Sequence, residues 1–224
     1  MVAEADSSLG LPSSRHTYGV RVLAVSDVVD EAISASMPAR SGTIDLVIGA
    51  GDLPYEYLDY IATAVGAPLR AVHGNHDQPP EDVDDNAIRV WWDGIDLHGR
   101  VVDLNGLLVA GLEGSPRYST GPYQYTELQM WFSILRLLPK LFWNRIRRGR
   151  FLDILVTHAP PRGIHDEADQ AHRGFVSLRW FLREFHPRFH VHGHTHVYDA
   201  RTATTTQFGG TTVVNAYGAK TLEL

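Results

Sequence analysis

Five short fragments, in order along 224 residues, constrain this chain more than anything else in it. They are Ser26-Asp27, Gly51-Asp52, Gly74-Asn75-His76-Asp77, Thr157-His158-Ala159-Pro160-Pro161 and Gly193-His194-Thr195-His196. Each follows a short apolar stretch and places a carboxylate, amide or imidazole where a strand gives way to a loop. In α/β folds, ligands gather beyond the carboxyl ends of the strands, so all five can meet along one rim. Alone, Asp27 reads as a helix N-cap and Gly51-Asp52 as a turn. A turn has use for Gly74 and Asn75 but none for His76 and Asp77, and the ordered set points to a site.

The apolar pattern supports that placement. Residues 20–25 are predicted to form a buried strand ending at Asp27, and residues 44–48 a second ending at Asp52. Pro54 suits the first turn of a helix running to about Val65, and residues 68–72 form a third strand that delivers Asn75 and His76. Residues 78–97, with Pro79-Pro80 and then acidic residues, read as a surface excursion. Asn105-Gly106 between two apolar runs predicts a hairpin, and Gly209-Gly210 predicts another. Residues 126–148 read as a helix, or a helix pair broken near Pro139. Residues 154–156 lead to His158, and residues 189–191 lead to His194. This alternation belongs to an α/β chain, expected as two packed sheets flanked by helices with the site on their shared upper edge. No repeat or linker divides it. The expectation is one domain over residues 17–224, preceded by a polar, disordered tail at 1–16.

The chain contains no cysteine, which removes disulfides, thiolate ligands and a cysteine nucleophile together. Any metal must be held by carboxylate, imidazole and amide, and twelve histidines make that practicable. Two aspartates, an asparagine and three histidines form a nitrogen-and-oxygen donor set suited to Mn²⁺, Fe or Zn²⁺ rather than to Ca²⁺ or Mg²⁺ alone. So many donors favour two ions, roughly 3.5–4 Å apart and sharing a carboxylate. A net charge of −6 argues against a nucleic-acid surface. No apolar run reaches the ~20 residues of a membrane span, and residues 1–16 lack the apolar core of a signal peptide, so the expected location is cytoplasmic.

From Arg21 to Asn215 the ordered motifs resemble those of the calcineurin-like metallophosphoesterases. The compact Gly-Asn-His-Asp and Gly-His-Thr-His forms look most like the bacterial phosphodiesterase-like branch. The resemblance implies a four-layer α/β/β/α sandwich of two mixed β-sheets flanked by helices. By position it implies Asp27 and His196 as ligands of a first metal, Asp52 as the bridge, and Asn75, His158 and His194 as ligands of a second. It also implies His76 as the catalytic histidine, assisting hydroxide held by the metals as it attacks a small phosphoester, more readily a diester than a monoester. The rival reading is a partly decayed scaffold of the same fold acting as a binding module.

Two departures bear on that choice. Members of the family begin with Asp-x-His, whereas here the stretch is Asp27-Val28-Val29, so the first site is expected to be weak. Asp30 is the nearest substitute ligand, or else the cap of a following helix. Many members also carry an aspartate that orients the catalytic histidine where this chain has Tyr55, leaving Asp77 or Glu56 as candidates. No Asp-Arg-Gly follows Asp52, which argues against a protein phosphatase. In the polar loop 162–174, His165, His172 or Arg173 could hold a phosphate oxygen, unless the loop is simply solvated. His73 reads as structural. Residues 126–150 mix aromatic and basic side chains, which suits a core helix, a self-association surface or a lipid surface.

Overall fold

The computed structural model describes residues 19–80, 86–199 and 201–224. The tail expected at 1–16 lies outside them. In chain order the elements are β1 (Arg21–Ser26), α1 (Glu31–Ser36), β2 (Leu46–Gly49), α2 (Tyr55–Val65), β3 (Leu69–Ala71) and α3 (Asn86–Ile95). Then come β4 (Val101–Leu104), β5 (Leu107–Leu112), β6 (Ser115–Pro116), β7 (Gln124–Tyr125), α4 (Glu127–Arg148) and β8 (Ile154–Thr157). The chain closes with α5 (Val176–Phe185), β9 (Phe189–His192), β10 (Thr205–Phe208), β11 (Thr211–Asn215) and β12 (Gly218–Glu223).

The strands form two mixed sheets. One has the order β12-β1-β2-β3, with β1, β2 and β3 parallel and β12 antiparallel at the edge. The other has the order β10-β11-β9-β8-β5-β4, parallel through β11, β9, β8 and β5 and antiparallel at both edges. Parallel strands covered on both faces read as continuous apolar runs, and β1 and β8 do. Val22, Ala24 and Ile48 meet Val109, Val156 and Val191 between the sheets. The opposite face of the first sheet, with Leu23, Val25 and Val47, packs on Leu58 and Ile61 of α2 and Trp92 of α3. On the second sheet, Leu108 and Leu155 face Met130, Ile134 and Leu141 of α4 and Phe181 of α5. Four layers result, α/β/β/α, as the motif order implied.

One local expectation is corrected and one open alternative is decided. The supposed excursion at 78–97 contains α3, whose Trp92 and Ile95 are buried. The proline pair and the acidic residues ahead of it drew the reading toward a loop, although the apolar residues of α3 do fall on one face. Nor does α4 break at Pro139: it runs 22 residues from a Thr126–Gln129 capping box to a left-handed Gly149. Pro139 lies on the less buried side, where water can serve the carbonyl that proline leaves unpaired, while Leu137 and Leu141 anchor both flanks to the sheet. No described helix is long and apolar enough to cross a membrane.

Candidate metal centre

Asp27 immediately follows β1, while Asp52 lies just beyond β2, Asn75 beyond β3, His158 beyond β8 and His194 beyond β9. Because these strands run parallel within each sheet, their carboxyl ends share one rim. The backbone turns sharply there: Asp27, Asp52 and His194 all adopt left-handed φ values, at 65°, 57° and 68°. Such conformations cost about 1–3 kcal/mol each and collect at functional sites. Two glycines make room for the carboxylates. A Cβ on Gly74 would fall on Asp52 Oδ1 and 2.7 Å from the Asp52 nitrogen; one on Gly193 would fall on the Ser26 hydroxyl and 2.5 Å from Asp27 Oδ2.

At the centre stands His158, fully buried. Its Nδ1–H donates to the Ala50 carbonyl at 2.8 Å, which fixes the tautomer and turns Nε2 inward. His194 is fixed in the reverse sense, its Nε2–H donating to the Ala171 carbonyl at 2.7 Å while Nδ1 lies 3.1 Å from His158 Nε2. Asn75 Oδ1 is 3.1 Å from the same His158 nitrogen, and Asp52 Oδ2 is 3.4 Å from it. The Asp52, His158 and His194 donor atoms all lie within 4.8 Å of one another. In their neutral forms the two imidazoles would bring four lone-pair donors together with no hydrogen among them. That arrangement demands a cation. The donor set, two imidazole nitrogens, a carboxylate and an amide oxygen, fits a divalent transition-metal ion.

Beside it lies a thinner group. Asp27 is almost wholly buried and accepts from the His194 backbone nitrogen, and His196 Nε2 stands 4.0 Å from Asp27 Oδ1. The His196 ring is half-exposed, meets the Tyr198 hydroxyl through Nδ1 at 2.8 Å, and packs against Tyr217 with ring centroids 5.1 Å apart. Val29, where the family pattern has histidine, is 52% exposed. Asp30, the proposed substitute, accepts from the Ala32 and Ile33 nitrogens as the N-cap of α1. Both bonds fall on Oδ1, so of the two roles the sequence offered Asp30 the structure shows the cap.

The electrostatics of the rim follow from burial. Burial raises the Asp27 pKa above the usual carboxylate range, with Asp52 adding repulsion against the lowering effect of His158. Burial opposes ionisation of Asp52 as well, but the His158 charge and hydrogen bonds from His158 and the His76 amide hold it below its ordinary value. Burial would lower His158, yet Asp52 and Asp27 together push it up to about 9. Burial and His158 press His194 down to about 3. In the metal-free protein, His158 supplies the cation.

His76 is exposed at the rim, and its backbone nitrogen donates to Asp52 Oδ1 at 2.8 Å. Among the described residues, its ring has no hydrogen-bond partner. Asp77 does not orient it: that carboxylate accepts from the backbone nitrogens of Asp52, Leu53 and Gly74 and braces two site loops together. His76 borders a cleft of about 330 Å³ lined also by Asp52, Leu53, Tyr55 and Ile88.

The loop 162–174 divides. His172 lies beside the centre, its ring 5.2 Å from that of His194 and its Nδ1 held by Asp169. His165 turns away to His192 Nε2 at 2.9 Å and Thr206 Oγ1 at 2.8 Å, leaving neither ring nitrogen for substrate. Arg173 donates to the Ala168 carbonyl. His73 is structural, stacked between Trp92 and Tyr123 and bonded to Glu113. Three contributors escape sequence reasoning: Tyr118, whose hydroxyl meets Asn75 Nδ2 at 2.9 Å, the Ala171 carbonyl, and Tyr198. Only Tyr198, two residues beyond His196, carried any positional signal.

A four-layer sandwich with Asp, Asn and His side chains converging at its strand ends defines a metallophosphoesterase-type protein. The chain belongs to the calcineurin-like phosphoesterase family, whose sequence pattern matches residues 21–198. It is similar to UPF0046 protein T07D4.2 of Caenorhabditis elegans, 29% identical over 102 residues that make up 45% of this chain and 23% of that protein. Among solved structures, it resembles TT1561 of Thermus thermophilus at 15% identity and a TM-score of 0.60, covering 92% of this chain and 99% of that one. It also resembles the phosphopantetheinyl hydrolase of Mycobacterium tuberculosis at 13% identity and a TM-score of 0.53, covering 89% of each chain. At those identities the structural likeness speaks for the fold alone.

Proposed function

We propose that this protein is a metal-dependent phosphoesterase acting on a small phosphodiester. The observation that carries the reading is the cluster of Asp52, Asn75, His158 and His194 donor atoms with both imidazole tautomers fixed from behind by backbone carbonyls. These four residues would hold one divalent ion. Asp27 and His196 would hold a second, weaker one, with Asp52 between the two groups. When bound, such ions neutralise phosphate charge and acidify water at neutral pH. Among the described residues the His76 ring has no hydrogen-bond partner, and at the mouth of the cleft it can hold the proton that the leaving oxygen takes up. The cleft continues past His76 along Leu53, Tyr55 and Ile88, which leaves room for an organic substituent on the phosphate; the preference for a diester rests on the compact Gly74–Asp77 and Gly193–His196 motifs.

A scaffold reading rests on Val29 alone. The two separate through metal content together with hydrolysis of bis(p-nitrophenyl) phosphate. The enzyme reading expects metal-dependent turnover that falls roughly 10²–10⁴-fold in His76→Ala with metal content unchanged. Asn75→Ala should lower both metal content and rate. Metal uptake with no turnover of any phosphoester, or no metal uptake at all, would sink the enzyme reading and leave the scaffold.

A further inference from the structure

Helix α4 is apolar on two opposite faces. Its inner face, with Met130, Ile134, Leu137 and Leu141, is buried against the second sheet. Its outer face carries Leu128, Phe132, Leu135, Phe142, Trp143 and Ile146, each between 50% and 79% exposed. At 100° per residue these six fall within an arc of about 100°, nearly opposite the buried set. Packing on the sheet explains the inner stripe and leaves the outer one without a purpose. A continuous exposed apolar stripe of this kind marks an interaction surface.

Charge identifies the occupant. Arg136, Lys140 and Arg147 run along one border of the stripe, and Arg145 lies on the other. Residues 128–150 contain no carboxylate, in a chain whose net charge is −6. Arg148 and Arg150 are paired with Asp103 and Asp153. Among the described residues, Arg136, Lys140, Arg145 and Arg147 enter no ion pair, and the Arg147 guanidinium lies 5.2 Å from the centroid of the Trp143 ring. A second copy meeting this face in antiparallel, two-fold fashion would oppose the cationic border to itself, with no acid along that stretch of helix to relieve it. An anionic bilayer offers what the stripe lacks: an apolar layer beneath a negative surface, with tryptophan at the boundary.

We propose that the outer face of α4 docks the protein on anionic membrane surfaces, the helix lying in the interface plane. The test is co-sedimentation with phosphatidylglycerol–phosphatidylcholine vesicles and with pure phosphatidylcholine vesicles, alongside light scattering for oligomeric state. The expected result is binding to the anionic vesicles only, weakened by salt. The variant Arg136→Gln/Lys140→Gln/Arg147→Gln should lose roughly 100-fold in affinity, from about 1 kcal/mol per cation. Phe132→Ser/Trp143→Ser should lose binding while its melting temperature and metal content stay at the wild-type values, since both side chains are exposed. Absence of binding to anionic vesicles at low salt, or equal binding to neutral ones, would overturn the proposal. So would a dimer that Phe132→Ser/Trp143→Ser dissociates without any vesicle binding. None of these readouts depends on turnover, so failure here leaves the phosphoesterase reading untouched.

Discussion

Asn75 Nδ2 meets the Tyr118 hydroxyl at 2.9 Å, and this contact turns the amide oxygen, rather than its nitrogen, toward His158. An amide is useful to a cation through its oxygen only, so Tyr118 positions a ligand without being one. Tyr118→Phe should therefore weaken metal binding by about 10–100-fold. The melting temperature should barely move, because the side chain is 39% exposed. Calorimetric titration with Zn²⁺ or Mn²⁺ checks this, and an unchanged affinity would mean that the metal orients Asn75 unaided.

Gly193 sits where the β9 loop crosses Asp27, and a methyl group there has nowhere to go but into the Ser26 hydroxyl and the Asp27 carboxylate. Both obstacles belong to one buried strand end, so relief requires backbone movement. Gly193→Ala is expected to cost about 1–3 kcal/mol in urea unfolding and to deplete bound metal. Gly94 is the control: it lies within α3 and an added Cβ meets nothing within 4 Å. Gly94→Ala should stabilise by up to ~1 kcal/mol through helix propensity. Equal behaviour of the two variants would refute the steric account.

His158 sets the pH dependence of metal binding. Asp52 and Asp27 hold its pKa up at about 9 against the opposing effect of burial, so at pH 7 the metal-free ring is protonated. A metal ion needs the neutral ring, so loading must expel that proton. Below pH 9 affinity should rise about tenfold per pH unit, and above it the rise should flatten. Titrations in buffers of different ionisation enthalpy would read the proton directly. His158→Asn should abolish the slope as well as most of the affinity, whereas no proton release at pH 7 would place the charge elsewhere.

Legibility along the chain followed the range of the interactions involved. Asp27, Asp52, Asn75, His158 and His194 could be placed because each ends a strand, and a strand announces itself within a few residues. Asn105-Gly106 was as plain, since both residues adopt the positive φ that the hairpin needs. Helix α3 was obscured by Pro79-Pro80 and the acidic residues ahead of it, which outweighed the one-sided apolar pattern that ends in Trp92 and Ile95. Helix α4 could be read as one helix or two, because the cost of Pro139 depends on whether it faces the sheet. Tyr118 lies in an irregular stretch with no period to read, and its partner Asn75 is 43 residues away. Asp30 had two readings in sequence, and backbone geometry chose the cap.

Val29 offers the sharpest remaining test of the proposed division of the rim between two ions. The Asp52–Asn75–His158–His194 group has four donors, and the Asp27–His196 pair has two. With Asp30 bonded to the Ala32 and Ile33 nitrogens, nothing on α1 supplies the imidazole that the family pattern places two residues after Asp27. Because Val29 is 52% exposed, Val29→His should cost within about 0.5 kcal/mol of stability. It should raise the affinity of the weaker site by at least about 10-fold. Metal analysis at sub-saturating Mn²⁺ should then move from near one ion per chain toward two, and the excess Mn²⁺ needed for turnover should fall. If stoichiometry and metal requirement both stay at wild-type values, position 29 faces away from the rim, and the weaker ion is held by Asp27, His196 and Asp52 without help from α1.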